Sequence, residues 1–257
     1  MGILNVTPDS FFDGGKTFST RDIAKRIDTM LNEGVDIIDI GACSTRPNAD
    51  LIDEKEEINR IKQALKIVQE IATNIPISVD TFRTSVAQFV VNELGERIMI
   101  NDISGGTFDK EMMPFAAKNH LPYVCMHIQG TPKTMQDNPH YEDVIEEEIS
   151  YFEERKIYAQ QIGLQYLILD PGFGFGKTTE QNYILLNNLE KFKKFNLPIL
   201  VGLSRKSMIQ NVLHCSAHEA LNGTTILNTI ALLKGATILR VHDVKEAKEV
   251  IKIFSAL

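Results

Sequence analysis

The stretch ISVDTFRTSVAQFVVNELGERIMIND, residues 77–102, contains one whole unit of the fold. Ile77–Val79 is a short apolar run rich in β-branched residues, as a strand buried on both faces should be. Thr84–Leu94 reads as a helix, and Gly95 stands where a helix ends. Ile98–Ile100 is a second buried strand. Both strands run out into polar groups, Asp80 after the first and Asn101–Asp102 after the second. Strand, helix and strand in this order imply a parallel pair joined by a crossover helix.

Working outward, the same alternation fills the chain. Further strands are expected at Ile3–Val6, Val35–Ile40, Tyr123–Met126, Tyr166–Leu169, Ile199–Leu203 and Thr237–Val241. Helical patterns lie between them at Arg21–Glu33, Glu54–Thr73, Tyr141–Ile162 and Glu246–Phe254. Ile58, Ile61, Leu65 and Val68 recur at three- and four-residue spacing, which makes one buried stripe. Thr20, Asp53 and Ser216 stand where helix N-caps are expected, and Gly34, Gly95, Gly163 and Gly235 where helices close. Eight such units in 257 residues come to roughly 32 residues each, near the usual length of a (β/α)8 barrel. The fold class predicted is therefore α/β, a (β/α)8 TIM barrel. A doubly wound open sheet with an extra strand pair is the alternative. No linker or composition shift divides the chain, so a single domain over residues 1–257 is expected.

Composition narrows the class further. Lys and Arg total 27 against 34 Asp and Glu, a formal charge of −7, and apolar residues make up 43%. That apolar content excludes disorder, and Cys43, Cys125 and Cys215 are too few and too scattered for a disulfide scaffold. An odd number of cysteines favours a reducing compartment, and a cytoplasmic protein is expected. No apolar run approaches the roughly 20 residues that span a bilayer, and the opening MGILNVTPDSFFDGG lacks the pattern of a signal peptide. The acidic balance argues against nonspecific nucleic-acid binding. The excess acids are expected on outer helices, at Glu54–Glu57 and Glu142–Glu154.

Active sites of this fold lie at the C-terminal ends of the strands. In chain order those ends carry Asn5, Gly41–Arg46, Asp80, Asn101–Asp102, His127, Asp170, Ser204–Lys206 and Arg240–His242. Turn preferences explain some single positions. They do not explain polar groups at one end of all eight strands, while the opposite loops offer no comparable set. Asp80, Asn101 and Asp170 suit the edge of a flat, nitrogen-rich heterocycle. Arg46, Lys206, Arg240 and His242 supply positive charge for a phosphate or carboxylate. The competing reading is that these cations pair with the acids as a buried ion network. Phe173 and Phe175 after the sixth strand offer an apolar wall for a planar ligand.

Other motifs fail on spacing. GFGFGKT at Gly172–Thr178 has one residue too few between its glycines for a P-loop, and Pro171 precedes it. Gly202-Leu203-Ser204-Arg205-Lys206 ends in Lys where a nucleophile elbow needs Gly. His218-Glu219 lacks the second histidine of a zinc-protease helix, since Asn222 stands there.

Taken together, the motifs resemble those of the dihydropteroate synthases. Met1-Gly2-Ile3-Leu4-Asn5-Val6-Thr7-Pro8-Asp9-Ser10-Phe11 is similar to the family's first signature, and Ser44-Thr45-Arg46-Pro47 to its second. Ser78-Val79-Asp80-Thr81, Asn101-Asp102, Met126-His127, Asp170-Pro171-Gly172-Phe173-Gly174-Phe175-Gly176-Lys177, Gly202-Leu203-Ser204-Arg205-Lys206 and Arg240-Val241-His242-Asp243 continue the match, about one motif per strand. Cys43 departs from the pattern, since many relatives carry a polar residue there. Relatives also commonly begin with a short segment ahead of strand 1, which this sequence lacks or has had trimmed.

The resemblance implies a pterin-binding barrel that condenses (7,8-dihydropterin-6-yl)methyl diphosphate with 4-aminobenzoate in folate synthesis. It implies catalytic roles for Asp80, Asp170, Lys206, Arg240 and His242. Asp80, Asn101, Asp170 and Lys206 resemble the pterin-binding set, bordered by Met126 and Phe175. Asn5, Arg240 and His242 resemble the diphosphate site, with Asn5 as ligand of a Mg2+ cofactor. Phe11, Thr45, Arg46 and Pro47 resemble the 4-aminobenzoate pocket, and Ser204 the contact for that substrate's carboxylate. The resemblance also implies sulfonamide inhibition, a homodimer, and two closing loops, Thr7–Phe18 and Cys43–Asp53. A dissociative, SN1-like substitution without a covalent enzyme intermediate is expected. Rival readings are a pterin-dependent methyltransferase, a Schiff-base enzyme using Lys206, and a non-catalytic pterin binder.

Overall fold

A computed structural model of the chain describes residues 1–7, 20–44, 51–95 and 97–257. Strand and helix alternate along it. Strands are β1 (Gly2–Asn5), β2 (Ile38–Gly41), β3 (Ile77–Asp80), β4 (Ile98–Asp102), β5 (Tyr123–Met126), β6 (Leu167–Asp170), β7 (Leu200–Val201) and β8 (Ile238–Leu239). The helices are α1 (Thr20–Asn32), α2 (Glu54–Ile71), α3 (Thr84–Leu94), α4 (Met112–Lys118), α5 (Val144–Gln161), α6 (Thr179–Asn187), α7 (Ser207–Leu213), α8 (Leu221–Leu233) and α9 (Val244–Phe254), with a 3₁₀ helix at Leu189–Phe195.

Local chemistry sets most boundaries as expected. The Asp53 carboxylate accepts from the Glu56 amide at 2.8 Å and caps α2. Gly95 ends α3 at φ 70°, a conformation that a residue with a β-carbon adopts only under strain. Ser216 differs from expectation. It makes a turn with Glu219, and α8 begins only at Leu221 after Ala220. β7 ends at Val201 because residues 202–206 leave the ladder for a turn in which Arg205 has φ 55°, and β8 is also shorter than its apolar run, with Val241 bridged to Gly2 instead.

All strand pairs are parallel. β1 to β6 form one sheet in sequence order, and β7 pairs with β8. Single bridges stand at the two seams: Leu169 with Ile199 between β6 and β7, and Gly2 with Val241 between β8 and β1. The eight strands thus follow one another in barrel order, but the ladder is not one closed eight-stranded sheet. One apolar cluster lies between sheet and helices, with Ile27, Ile40, Ile61, Val79, Phe152 and Leu169 among its buried members. A second, smaller one joins Met1, Val124, Ile168 and Leu200 to the half-buried Ile37, Met99 and Ile238. These come from seven strands or the residues just before them, so they fill the interior at its N-terminal end. Side chains alternate along a strand, so the residue two positions later shares that face. Above Met99, Val124, Ile168 and Ile238 this places Asn101, Met126, Asp170 and Arg240. The fold therefore puts an apolar plug beneath a polar layer. Among the described residues, no helix is long and apolar enough to cross a membrane.

Candidate active site

Strand register lines up the polar layer. Asn5 pairs with Gly41, Gly41 with Asp80, and Asp80 with Asn101, so four adjacent strands end in one row. Gly41 leaves a gap in it. A β-carbon there would stand 3.4 Å from Asp80 Oδ2 and 3.5 Å from Asn5 Oδ1.

Arg240, arriving from β8, ties this row together. Its Nε donates to Asp39 Oδ2 at 2.7 Å and its Nη2 to Asp80 Oδ2 at 2.6 Å. Asn101 Nδ2 lies 3.3 and 3.2 Å from the two Asp39 oxygens. Asp39 is fully buried and was not expected in the site. Its signal in the sequence is an acid inside the apolar run Val35–Ile40, where burial demands a partner. Burial works against the charge of Arg240, but Asp39 and Asp80 outweigh it and hold the guanidinium above its usual range. Burial pushes Asp80 up to about 7, against the pull of Arg240 and with the help of Asp39. The two carboxylates thus account for the rise of Arg240, and burial for that of Asp80. Arg240 thus stands between acids, so for this cation the structure shows the ion pairing of the competing reading.

Lys206 and Asp170 form the other side. Burial pushes the Lys206 ammonium down to about 7, while Asp170 opposes the shift. Lys206 Nζ donates to the Phe173 carbonyl and lies 4.7 Å from the centre of the Phe175 ring. Burial raises Asp170 against the pull of Lys206, and its Oδ1 accepts from the Gly172 amide at 2.8 Å. Met126 pairs in register with Asp170, and its Cγ would stand 3.3 Å from a β-carbon at Gly172. Phe173 is fully buried core, and only the half-buried Phe175 borders the layer.

His242 follows strand 8 and Ser204 strand 7. His242 Nδ1 lies 3.0 Å from Ser204 Oγ, which also accepts from the His242 amide at 3.2 Å. Burial, reinforced by Arg240, pushes the imidazole down to about 4. Burial beside Arg240 therefore favours the neutral imidazole in the free protein, whereas the sequence reading grouped His242 with the cations. The Arg26 guanidinium donates to the His242 carbonyl, and Arg205 clamps the neighbouring Asp243 with bonds of 2.8 and 2.9 Å.

Two strand-end groups are placed elsewhere. Asp102 accepts from Ser104, Gly106 and the Tyr123 hydroxyl, a closed buried network. His127 faces Lys177 and Glu148. The acids of α2 and α5 are not all outside either. Glu57 and Glu148 are fully buried, the first paired with Arg83 and the second with Lys177. Phe11, Thr45, Arg46 and Pro47 lie outside the described residues, as do most of the two loops expected to close. Cys43 and Cys125 are buried, as small apolar residues would be. No group of three or more His, Cys, Asp or Glu among the described residues is arranged to hold a metal ion.

Residues 1–242 match the profile of the family described as pterin binding enzyme. The chain is 45% identical over 260 residues to the dihydropteroate synthase of Escherichia coli, covering 100% of this chain and 90% of that one. It is 43% identical over 263 residues to the enzyme of that name from Synechocystis, covering 100% and 89%. A Yersinia pestis dihydropteroate synthase solved with a sulfonamide drug superposes with a TM-score of 0.91 at 39% identity, covering 99% and 92%. A Xanthomonas albilineans dihydropteroate synthase solved with 4-aminobenzoic acid gives 0.89 at 35% identity, covering 99% and 91%.

Proposed function

This chain belongs to the pterin-binding enzyme family, among its dihydropteroate synthases, and from that premise we propose that it joins (7,8-dihydropterin-6-yl)methyl diphosphate to 4-aminobenzoate by Mg2+-assisted, dissociative substitution, releasing 7,8-dihydropteroate and diphosphate. One observation carries the reading: Asp80, Asn101 and Asp170 end their strands in the same inward layer as Arg240. The acids and amide match the donors and acceptors of a pterin edge, and the guanidinium matches a phosphate oxygen.

In this reading Asp170 accepts from the pterin N–H groups and stabilises the ring as it turns cationic. Lys206 donates to the ring, Asp80 and Asn101 hold its edge, and Met126 and Phe175 border its faces. Arg240 takes the diphosphate. Its Nε and Nη2 are held by Asp39 and Asp80, so Nη1 is the nitrogen left for a ligand oxygen. Because those two carboxylates fix the guanidinium beforehand, charge developing on the leaving group meets a donor that need not reorganise. His242, neutral in the free protein, adds a hydrogen bond to the diphosphate. Ser204 takes the 4-aminobenzoate carboxylate, and Phe11, Thr45, Arg46 and Pro47 complete that substrate's contacts. The pterin methylene, stranded as a cation, is attacked by the weakly basic arylamine without a strong protein base.

Asn5 suits a hard cation, because its amide oxygen borders the gap that a β-carbon at Gly41 would fill. A single protein oxygen, supplemented by phosphate oxygens and water, is an ordinary way to hold Mg2+. When bound, the ion would neutralise charge on the diphosphate.

The active form in this reading is a cytoplasmic homodimer. Support for pairing comes from α8, where Ile226 and Leu233 are exposed. The helix carries no charged residue, which suits its exposed side to cover by a second copy.

The test is to incubate the protein with Mg2+, the pterin diphosphate and 4-aminobenzoate and to look for dihydropteroate by mass. A folded protein that yields none overturns the proposal. Sulfonamides are expected to compete with 4-aminobenzoate; purely noncompetitive inhibition would remove the assigned pocket.

A further inference from the structure

The loop between β6 and α6 is organised around one buried ammonium. Lys177 Nζ donates to the carbonyls of Gly172 at 3.3 Å and Phe175 at 3.2 Å, and lies 3.1 Å from His127 Nδ1. Glu148 of α5 brings Oε1 to 3.1 Å, and both side chains are wholly shielded from solvent. Among the described residues neither Glu148 oxygen meets a donor in good hydrogen-bond geometry; Oε1 has the Lys177 ammonium at 3.1 Å and the neutral His127 ring nitrogen at 3.5 Å, so the pairing is one of charge and Lys177 is the charge Glu148 answers.

The backbone held in this way has little stiffness of its own. Gly172, Gly174 and Gly176 have φ of 69°, 80° and 61°, which leaves three of five consecutive residues in the left-handed region. The glycines let the loop lie flat on the chain after β5. A side chain at Gly172 would collide with the His127 carbonyl, and one at Gly176 would stand 2.6 Å from the Gln129 carbonyl. The loop in turn presents two groups to the site, the Phe173 carbonyl that Lys206 binds and the Phe175 ring beside it.

Burying an ion pair is a poor way to stabilise a fold, since apolar residues of similar volume do as well or better. An apolar pair would not, however, hold two carbonyls of a glycine loop at once. We propose that Lys177, with Glu148 as its counter-charge, is a positioning residue for the pterin half of the site. It fixes Gly172 and Phe175, and through the loop the contacts that aim Lys206. This inference rests on the function proposed above.

The experiment removes the pair together, as Lys177→Met with Glu148→Leu, so that neither partner is left as an unpaired buried charge. Steady-state kinetics are then measured for both substrates. The Michaelis constant for the pterin diphosphate is expected to rise about tenfold or more, with that for 4-aminobenzoate within about twofold of the parent. An unchanged pterin constant, or equal rises for both substrates, overturns the inference. If the double variant does not fold, Lys177→Arg keeps the charge but not a compact ammonium between two carbonyls. A rise of about threefold in the pterin constant alone is expected, and parental kinetics in that folded variant would be equally fatal. Fluorescence titration with 6-hydroxymethylpterin separates the two readings. A parent that binds this pterin but makes no dihydropteroate sinks the proposed function and leaves positioning to be judged on pterin affinity. Full activity in the parent with unaltered pterin affinity in the variants sinks positioning alone. A parent that binds no pterin sinks both.

Discussion

Arg240 Nε lies 2.7 Å from Asp39 Oδ2, and the same guanidinium reaches Asp80 Oδ2 at 2.6 Å through Nη2. One cation therefore answers two buried carboxylates from the neighbouring strands β2 and β3. Replacing Arg240 by Met leaves those charges without a counter-ion. Breaking a buried pair from one side costs on the order of 3–5 kcal/mol. The loss depends on pH. Burial already holds the Asp80 carboxyl up to about 7 with the guanidinium in place, and losing Arg240 removes the pull that opposes this, so the folded state binds more protons and stability falls as pH rises through that window. Urea unfolding of Arg240→Met is expected to show the full loss at pH 8 and a smaller one at pH 5. Diphosphate affinity should fall as well, by on the order of 2–5 kcal/mol if the contact is desolvated. Calorimetry with diphosphate checks this, and an equal affinity in variant and parent would take Arg240 out of the site.

Lys206 makes the opposite kind of prediction. Burial holds its ammonium near 7, against 10.5 in the open chain. Between those values the unfolded chain binds the extra proton, so stability rises with pH from about 7 to about 10.5 and the penalty is complete below 7. Lys206→Met is expected to flatten that rise. Chemical denaturation of both proteins at several pH values checks the difference, and parallel curves would show that Lys206 titrates normally.

The barrel order was legible because each unit repeats a buried run and a helix stop, as in residues 77–102. Strand ends carrying Asp80, Asn101, Asp170 and Arg240 were legible too, since alternation alone sends them to one layer. Asp39 escaped notice because an acid inside an apolar run reads as noise until the far end of the chain supplies its guanidinium, 201 residues away. Glu57 and Glu148 escaped for the same reason. Each sits in an acidic helical stretch that looks like a solvated face, and only packing shows which turn points inward against Arg83 or Lys177. The charge state of His242 was not legible, because the sequence assigns imidazole its open-chain behaviour while burial beside Arg240 favours the neutral form.

The outer face of α8 carries a prediction about assembly. Ile226 and Leu233 are 50% and 58% exposed, seven residues apart and so two turns along one side. If a second copy covers this side, Ile226→Glu with Leu233→Glu should convert the protein to a monomer in sedimentation velocity while far-ultraviolet dichroism stays parental. A dimer that survives both charges would place the interface elsewhere.

The gap above Gly41 separates folding from function. A β-carbon at that position meets Asp80 Oδ2 at 3.4 Å and Asn5 Oδ1 at 3.5 Å, ordinary contact distances rather than clashes. Gly41→Ala should therefore cost less than about 1 kcal/mol, a shift of Tm within roughly 2–4 °C. The methyl group nevertheless occupies the space between the amide proposed for Mg2+ and the carboxylate proposed for the pterin. The expected result is a rise of about tenfold in the Michaelis constant of the pterin diphosphate, near 1.4 kcal/mol, together with a higher Mg2+ requirement. The constant for 4-aminobenzoate should not move. Parental kinetics in a folded Gly41→Ala protein would mean that substrate and ion do not use this gap, and Asn5 would lose its assignment.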